Sequence, residues 1–247
     1  MVHNIISKTA SKINVIIPMA GAGKRFDNYS LPKPLIDVNN KPMIQAVIEN
    51  LNIDANYIFI IQTLHKEKFG LDKTLNEICP GCKIVEVLEV TEGPACTALL
   101  AEKFINEDPL IIVNCDQIII DFRLDALIEF CNITQADGIL GAFISSSDKN
   151  SYMKLNDNLE VIDVKEKIVI SNVATKGLHF WKSGLDFIYS SKEMIKNKDT
   201  YNGEYYVAPS YNYLIKDGKK IKPFFYNLHI PIGTPEDLNK YLLYGNY

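Results

Sequence analysis

Short apolar runs alternate with amphipathic stretches along the first half of the chain. Ile13 to Pro18 is an apolar run of the kind that forms a strand buried on both faces, and it leads into the glycine-rich turn Ala20-Gly21-Ala22-Gly23. Asn28 to Asn40 is polar, proline-punctuated and too irregular for a helix. Pro42 opens a predicted helix in which Ile44, Val47, Ile48 and Leu51 recur at i, i+3, i+4 and i+7. Tyr57 to Gln62 and Ile84 to Val90 read as strands with a helical segment between them. Pro94 starts another helix running through Leu99 and Phe104, and Leu110 to Val113 is a strand ending in Asn114-Cys115-Asp116-Gln117. This alternation predicts βαβ units and a largely parallel, doubly wound α/β sheet. The polar chemistry falls just past strand ends, at Gly21–Arg25 and Asp116, the edge where open α/β sheets bind ligands.

The second half is less regular. Strands are expected over Gly138–Ile144, Glu160–Val164 and Val173–Phe180, then a helix from Ser183 towards Ile195 and another over Gly203–Lys216. Thr234-Pro235-Glu236-Asp237 combines an N-cap, a first-turn proline and an acid at N3, and marks a last helix start. No internal repeat or Gly/Ser linker divides the 247 residues, a length ample for one large α/β domain.

Charge narrows the partners. Lys+Arg total 26 against 30 Asp+Glu, a net −4, which disfavours a nucleic-acid polymer as partner. No apolar run approaches the roughly 18–20 residues that span a bilayer, and Met1 to Lys12 lacks the apolar core of a signal peptide, so a cytoplasmic protein without a membrane partner is expected. Only two of the basic residues are arginines, Arg25 and Arg123, which draws attention to an arginine in a loop. Five scattered cysteines read as reduced thiols. Cys79-Pro80-Gly81-Cys82 has redox-motif spacing, but between a helix and a strand its Pro-Gly reads as a turn, and no second pair completes a zinc set.

The glycine turn invites comparison with phosphate-binding loops, whose backbone N–H groups approach phosphate without a Cβ in the way. A dinucleotide fingerprint fails, because Phe26 stands at its third glycine position, and the Gly-Lys-Ser/Thr of a P-loop is absent. Gly21-Ala22-Gly23-Lys24-Arg25-Phe26 followed by Pro32-Lys33-Pro34-Leu35 instead resembles the signature of the nucleotidylyltransferases. The resemblance continues through Val164-Lys165-Glu166-Lys167, Gly177-Leu178-His179-Phe180, Gly203-Glu204 and Gly233-Thr234-Pro235-Glu236-Asp237-Leu238. It implies a Rossmann-like three-layer α/β/α sandwich with a mostly parallel mixed sheet, of the GT-A-like nucleotidyltransferase kind. Residues 1–247 then form a single domain, with 1–12 a tail, 13–120 mainly the NTP-binding half and 121–247 mainly the acceptor-binding half.

The implied reaction is attack by an acceptor phosphate oxygen on the α-phosphorus of an NTP, expelling pyrophosphate. Positioning and electrostatics carry such transfers. On the matched positions, Arg25, Lys33 and Asp116 are the expected catalytic residues. Arg25 suits a triphosphate through its planar fork, Lys33 is stiffened between two prolines, and Asp116 is the expected Mg²⁺ ligand. Ala20, Gly21, Ala22, Gly23, Lys24, Gln62, Glu92, Gly93 and Cys96 are expected around the nucleotide; Gly93 and Gln62 suit uracil and cytosine alike. Glu166, Lys167, Asn202, Glu204 and Tyr205 are expected around the acceptor. Two departures from the family pattern stand out. Ile168 replaces the proline after the Glu-Lys pair, and Pro231 occupies the place of a second metal-binding Asp.

Trp181, Tyr201, Tyr205, Tyr206, Tyr211 and Tyr213 concentrate aromatic side chains in the acceptor half. Packed in the core they carry no chemistry; facing the site they cradle a quaternary ammonium. Sugar 1-phosphates, phosphocholine and amino-acid-derived phosphates all stay open. The compact length resembles cytidylyltransferases that activate small groups for capsule, which favours CTP over UTP. A sugar-1-phosphate uridylyltransferase such as UTP:glucose-1-phosphate is the alternative, and a non-catalytic nucleotide-binding subunit a third. Tyr241, Tyr244 and Tyr247 leave monomer and homodimer both open.

Overall fold

The first apolar run forms β1 (Asn14–Pro18), and its alternate side chains enter two different cores. Val15 and Ile17 face one layer of helices, while Ile16 faces the other. The computed structural model describes residues 13–175, 177–226 and 228–245. The expected 1–12 tail, Lys176 and Tyr247 lie outside the described residues.

After β1 come a two-residue hairpin, β2 (Asp37–Val38) and β3 (Lys41–Pro42), then α1 (Met43–Leu51), which buries Met43, Ile44, Val47 and Leu51 as its periodicity requires. β4 (Asn56–Gln62) follows, then α2 (Thr63–Phe69) and α3 (Leu71–Ile78). The single helical segment expected here is broken by Gly70 at φ +64°. β5 (Lys83–Val87) stops short of the expected Val90, and Leu88 and Val90 are exposed on the way to Gly93. Between the two, Cys79 to Cys82 makes the turn, with the Cys82 N–H donating to the Cys79 carbonyl at 3.1 Å; none of the five cysteines is in a disulfide. α4 (Pro94–Leu99) ends before Phe104, which belongs to a separate 3₁₀ turn.

β6 (Leu110–Val113) leads through Asp116 into β7 (Gln117–Ile120) and α5 (Leu124–Thr134). β8 (Gly138–Ile144), β9 (Ser151–Leu155) and β10 (Val161–Glu166) follow. The expected strand Val173–Phe180 is two strands, β11 (Val173–Thr175) and β12 (Leu178–Trp181), because Gly177 turns the chain at φ +66°. α6 (Gly184–Lys196) comes next. The helix expected over Gly203–Lys216 is confined to α7 (Tyr211–Lys216): a Tyr201–Glu204 bridge with Gly203 at φ +78° and a 3₁₀ turn around Pro209 occupy the rest. β13 (Ile221–Phe225), β14 (Leu228–Pro231) and α8 (Pro235–Tyr244) complete the order. Thr234 caps α8, accepting from the Asp237 N–H at 3.1 Å and donating to Asp237 Oδ2 at 2.8 Å, as its sequence predicts.

The central sheet runs β10-β9-β11-β8-β12-β6-β1-β4-β5, with β13 added to β8. Its β6-β1-β4-β5 part is parallel, as is β13 on β8. The β12 strand, antiparallel to both β6 and β8, joins this part to the antiparallel strands of the second half. One face packs against α1, α3, α5 and α8, and the other against α4, α6 and α7. This is the three-layer α/β/α architecture expected. Among the described residues no helix is long and apolar enough to cross a membrane.

The aromatic concentration divides. Trp181, Tyr205, Tyr211 and Tyr213 are buried, and the Trp181 and Tyr211 rings stack at 4.6 Å. His179 lies beside them, 6.3 and 6.4 Å from those two ring centroids, and its Nδ1 has no hydrogen-bond partner among the described residues. Burial lowers its pKa to about 3. A depressed histidine pKa contributes stability that is fully present above the unfolded value near 6.5 and is lost as pH falls towards 3. Urea titrations should therefore show about 2 kcal/mol lost between pH 7 and pH 5 through this residue. His179→Gln should remove that part of the pH dependence; an equal loss in wild type and variant would acquit His179.

Candidate active site

The glycine loop leaves β1 at the sheet's carboxyl edge. Its entry is fixed by the Met19 N–H donating to the Ile60 carbonyl at 2.8 Å, and its exit by Phe26, which is buried in the core and donates its N–H to Gly23. Gly23 sits at φ +65°, where an L side chain is strained, so a glycine suits this corner. Between these anchors Gly21, Ala22, Lys24 and Arg25 are solvent-facing. Gln62, at the end of β4, donates its side-chain amide to the Ala20 and Gly21 carbonyls at 3.1 and 3.0 Å. It braces the loop from behind.

Lys33 lies on a 3₁₀ turn that Pro32 enters in extended geometry and that buried Pro34 holds against the core. Its Nζ donates to Asp116 Oδ2, with both side chains largely shielded from solvent. Burial disfavours the ammonium, but the Asp116 charge and hydrogen bond outweigh it and leave the Lys33 pKa raised. The Asp116 carbonyl accepts from the Ile232 N–H at 2.9 Å, and a Cβ at Gly233 would lie 2.5 Å from Asp116 Oδ2. Glycine at 233 therefore gives the carboxylate its room. Burial pushes the neighbouring Cys115 thiol up to about 11, so it stays protonated near neutrality.

Two clefts meet at these residues. The first, about 740 Å³, is lined by Ala20 to Phe26, Lys33, Gly93 and Glu204. The second, about 1200 Å³, is lined by Asp116, Ser151, Glu166, Lys167 and Tyr201 among others. Arg25, Pro94, Tyr206 and Gly233 line both. Most of the expected residues thus converge, with exceptions. Glu204, expected on the acceptor side, lines the first cleft. The Tyr205 side chain is in the core, its hydroxyl 3.5 Å from the Ile195 carbonyl, because the bridge turn sends neighbouring Tyr206 outwards instead. Asn202 is an exposed turn residue at φ +51°. Cys96 packs against the core on α4, and Glu92 is exposed and contributes its carbonyl to Tyr205. None of these four side chains lines either cleft, nor does Gln62, whose amide is taken up by the loop carbonyls instead of facing a base.

Sequence reasoning missed Ser151, whose hydroxyl donates to Glu166 Oε2 and holds that buried carboxylate in place. Nothing around it in the sequence signals this role. It also missed the closeness of Gly233 to Asp116, although the Gly-Thr-Pro landmark pointed at the position.

A family model described as nucleotidyl transferase matches residues 14–221. The chain belongs to the nucleotidyl transferase family. Among curated relatives, the bifunctional protein GlmU of Methanocaldococcus jannaschii is 28 % identical over 240 residues, spanning 94 % of this chain and 54 % of that protein. Among solved structures, the nucleoside-diphosphate-sugar pyrophosphorylase of Vibrio cholerae superposes with a TM-score of 0.79 at 23 % identity, covering 93 % of this chain and 99 % of that one. The inositol-1-phosphate CTP transferase of T. maritima gives 0.72 at 15 % identity, covering 91 % and 90 %. At these identities the two structures report a shared fold.

The donor set can be tested for a divalent cation. Among the described residues no three His, Cys, Asp or Glu side chains converge as a ligand cage. Pro231 pairs with Gln117 in the β14–β7 ladder and offers no side-chain ligand. One carboxylate at Asp116, shared with Lys33 and lining the second cleft, fits Mg²⁺, which keeps its waters and binds through one or two carboxylates plus substrate phosphates.

Gly93 ties the two halves together. It sits at φ +132°, and a Cβ there would lie 2.6 Å from both the backbone N and O of Tyr205. Those atoms are already engaged, the N–H with Glu92 at 2.8 Å and the carbonyl with the Ala95 N–H at 3.0 Å. Gly93→Ala should lower the free energy of unfolding by about 2–4 kcal/mol in urea. A loss below about 0.5 kcal/mol would show that this contact is not rigid.

Proposed function

We propose that the chain transfers a nucleoside monophosphate, CMP from CTP, to a small phosphorylated acceptor and releases pyrophosphate, supplying an activated precursor for capsule modification. The observation that carries this reading is the Lys33–Asp116 pair on the seam between the two clefts. The first cleft, with the glycine loop and Arg25, takes the triphosphate; the second takes the acceptor. An acceptor phosphate oxygen attacks the α-phosphorus, the bond to the bridging oxygen breaks, and that oxygen leaves with pyrophosphate. Lys33 places a point charge where the α-phosphate lies, and Arg25 spans donor and acceptor phosphates with its fork. Asp116 would hold Mg²⁺, which neutralises phosphate charge when bound. Lys167 meets the acceptor phosphate, and Glu166, fixed by Ser151, accepts from acceptor hydroxyl or amide groups.

The likeness of Pro18-Met19-Ala20-Gly21, Asn114-Cys115-Asp116-Gln117 and the Gly233–Leu238 segment to capsule-associated cytidylyltransferases supports CTP. Transfer of UMP from UTP to a sugar 1-phosphate is the second reading, favoured by the carboxylates Glu166, Asp148 and Glu236 around the second cleft, which suit a hydroxyl-rich acceptor. A purely regulatory role is disfavoured because Arg25, Lys33 and Asp116 are all retained at one seam.

Phosphorus NMR of the full chain with Mg²⁺, each of CTP, UTP, GTP and ATP, and a panel of small phosphates should show pyrophosphate and a new phosphoanhydride resonance for one pairing. Lys33→Ala should cut kcat for that pairing about 100-fold or more with an unchanged circular dichroism spectrum. No pyrophosphate from any pairing would overturn the enzymatic reading.

A further inference from the structure

At one corner of the second cleft Lys167 meets Tyr201 and Tyr206. The rings of Tyr201 and Tyr206 meet nearly at right angles, at 75° with centroids 6.4 Å apart. Lys167 Nζ lies 5.3 Å from the Tyr201 centroid and 4.5 Å from that of Tyr206, where it stands on the hydroxyl side of the ring. It also donates to the Tyr206 hydroxyl at 2.6 Å, which in turn donates to Glu204 Oε2 at 2.7 Å. Glu166 Oε1 lies 4.0 Å from the same ammonium. A tyrosine ring, a second tyrosine's hydroxyl and two nearby carboxylates are the chemistry that holds an ammonium group.

The backbone is shaped for this arrangement. Successive residues of a strand point to opposite faces, yet Glu166 and Lys167 both line the second cleft. Lys167 achieves this at φ +52°, just past the end of β10, with its N–H donating to the Asn150 carbonyl at 3.0 Å. A left-handed lysine is uncommon, and here it delivers the ammonium to the aromatic corner.

We propose that the corner is a cation site whose resident is Lys167, so that the cleft accepts phosphates bearing hydroxyl or amide groups and rejects those bearing a quaternary ammonium, with Tyr206 as the positioning residue that aims Lys167 at the acceptor phosphate. The proposal rests on reading the second cleft as the acceptor side. A trimethylammonium group entering the corner would have to displace an ammonium already held beside the Tyr201 ring and by the Tyr206 hydroxyl. Like charge repels it until that displacement is complete. The tyrosine hydroxyl takes one of the three Lys167 protons and leaves two for phosphate oxygens. Holding the side chain beforehand also reduces the ordering cost of acceptor binding.

The test separates the seat from the reaction. Saturation-transfer NMR on the N-methyl protons of choline and of phosphocholine should show no binding to the wild-type chain. Choline should bind folded Lys167→Ala, whose corner is empty, and binding should disappear again in Lys167→Ala/Tyr206→Leu. Wild-type binding of either compound, or a folded Lys167→Ala that ignores choline, overturns the proposal. If Lys167→Ala does not fold, Tyr206→Phe decides it: the acceptor KM should rise about tenfold with kcat within about twofold, since one hydrogen bond to a charged group is lost. A fall in kcat at unchanged KM contradicts the positioning role. If no nucleotide is turned over, the functional reading fails while the choline measurements still decide the seat.

Discussion

Lys33 and Asp116 lie 83 positions apart in sequence and meet in one ion pair. Each is drawn largely out of water, and each would be costly there without the other. The pair joins the turn after the glycine loop to the end of β6, and Gly233 joins the start of α8 to the same carboxylate. Three distant segments thus converge on a few ångströms, and the two clefts share that edge. A cation held by a carboxylate in a shielded place also suits an anionic reactant, because the charges are oriented before substrate arrives and little reorganisation remains.

The surrounding architecture serves this convergence. Parallel strands β1, β4 and β6 end on the same edge and present the glycine loop, Gln62 and Asp116 together. The antiparallel strands beyond β12 build the wider cleft, where Ser151 and Glu166 face each other across the β9–β10 pair. Gly93 and Tyr205 lock the two halves by direct backbone contact. A net charge of −4 is compatible with phosphate chemistry because the first cleft gathers Lys24, Arg25, Lys33 and Lys68 against Asp27 and Glu204.

Elements with a strong local pattern were legible in the sequence. The β1 run, the α1 periodicity and the Thr234 cap each follow from residues that are neighbours on one strand or helix. The first-half strands and the glycine loop were readable for the same reason. Side-chain destinations set by tertiary contact were not. Tyr205 and Tyr206 are adjacent and chemically alike, yet one enters the core and the other the cleft because of a bridge turn that no periodicity announces. Gln62 turned out to brace the loop through two carbonyls, and Ser151 to hold Glu166, because strands distant in sequence bring them together. Gly177 split an apparent strand since its positive φ is invisible in a hydrophobic run.

A double-mutant cycle on turnover tests most directly whether Lys33 and Asp116 act as one unit. The account predicts that Lys33→Ala, Asp116→Ala and the double variant lose nearly equal activity, each falling about as far as the others, because either loss dismantles the pair. Losses that multiply in the double variant would contradict it, because each residue would then do its part without needing the pair.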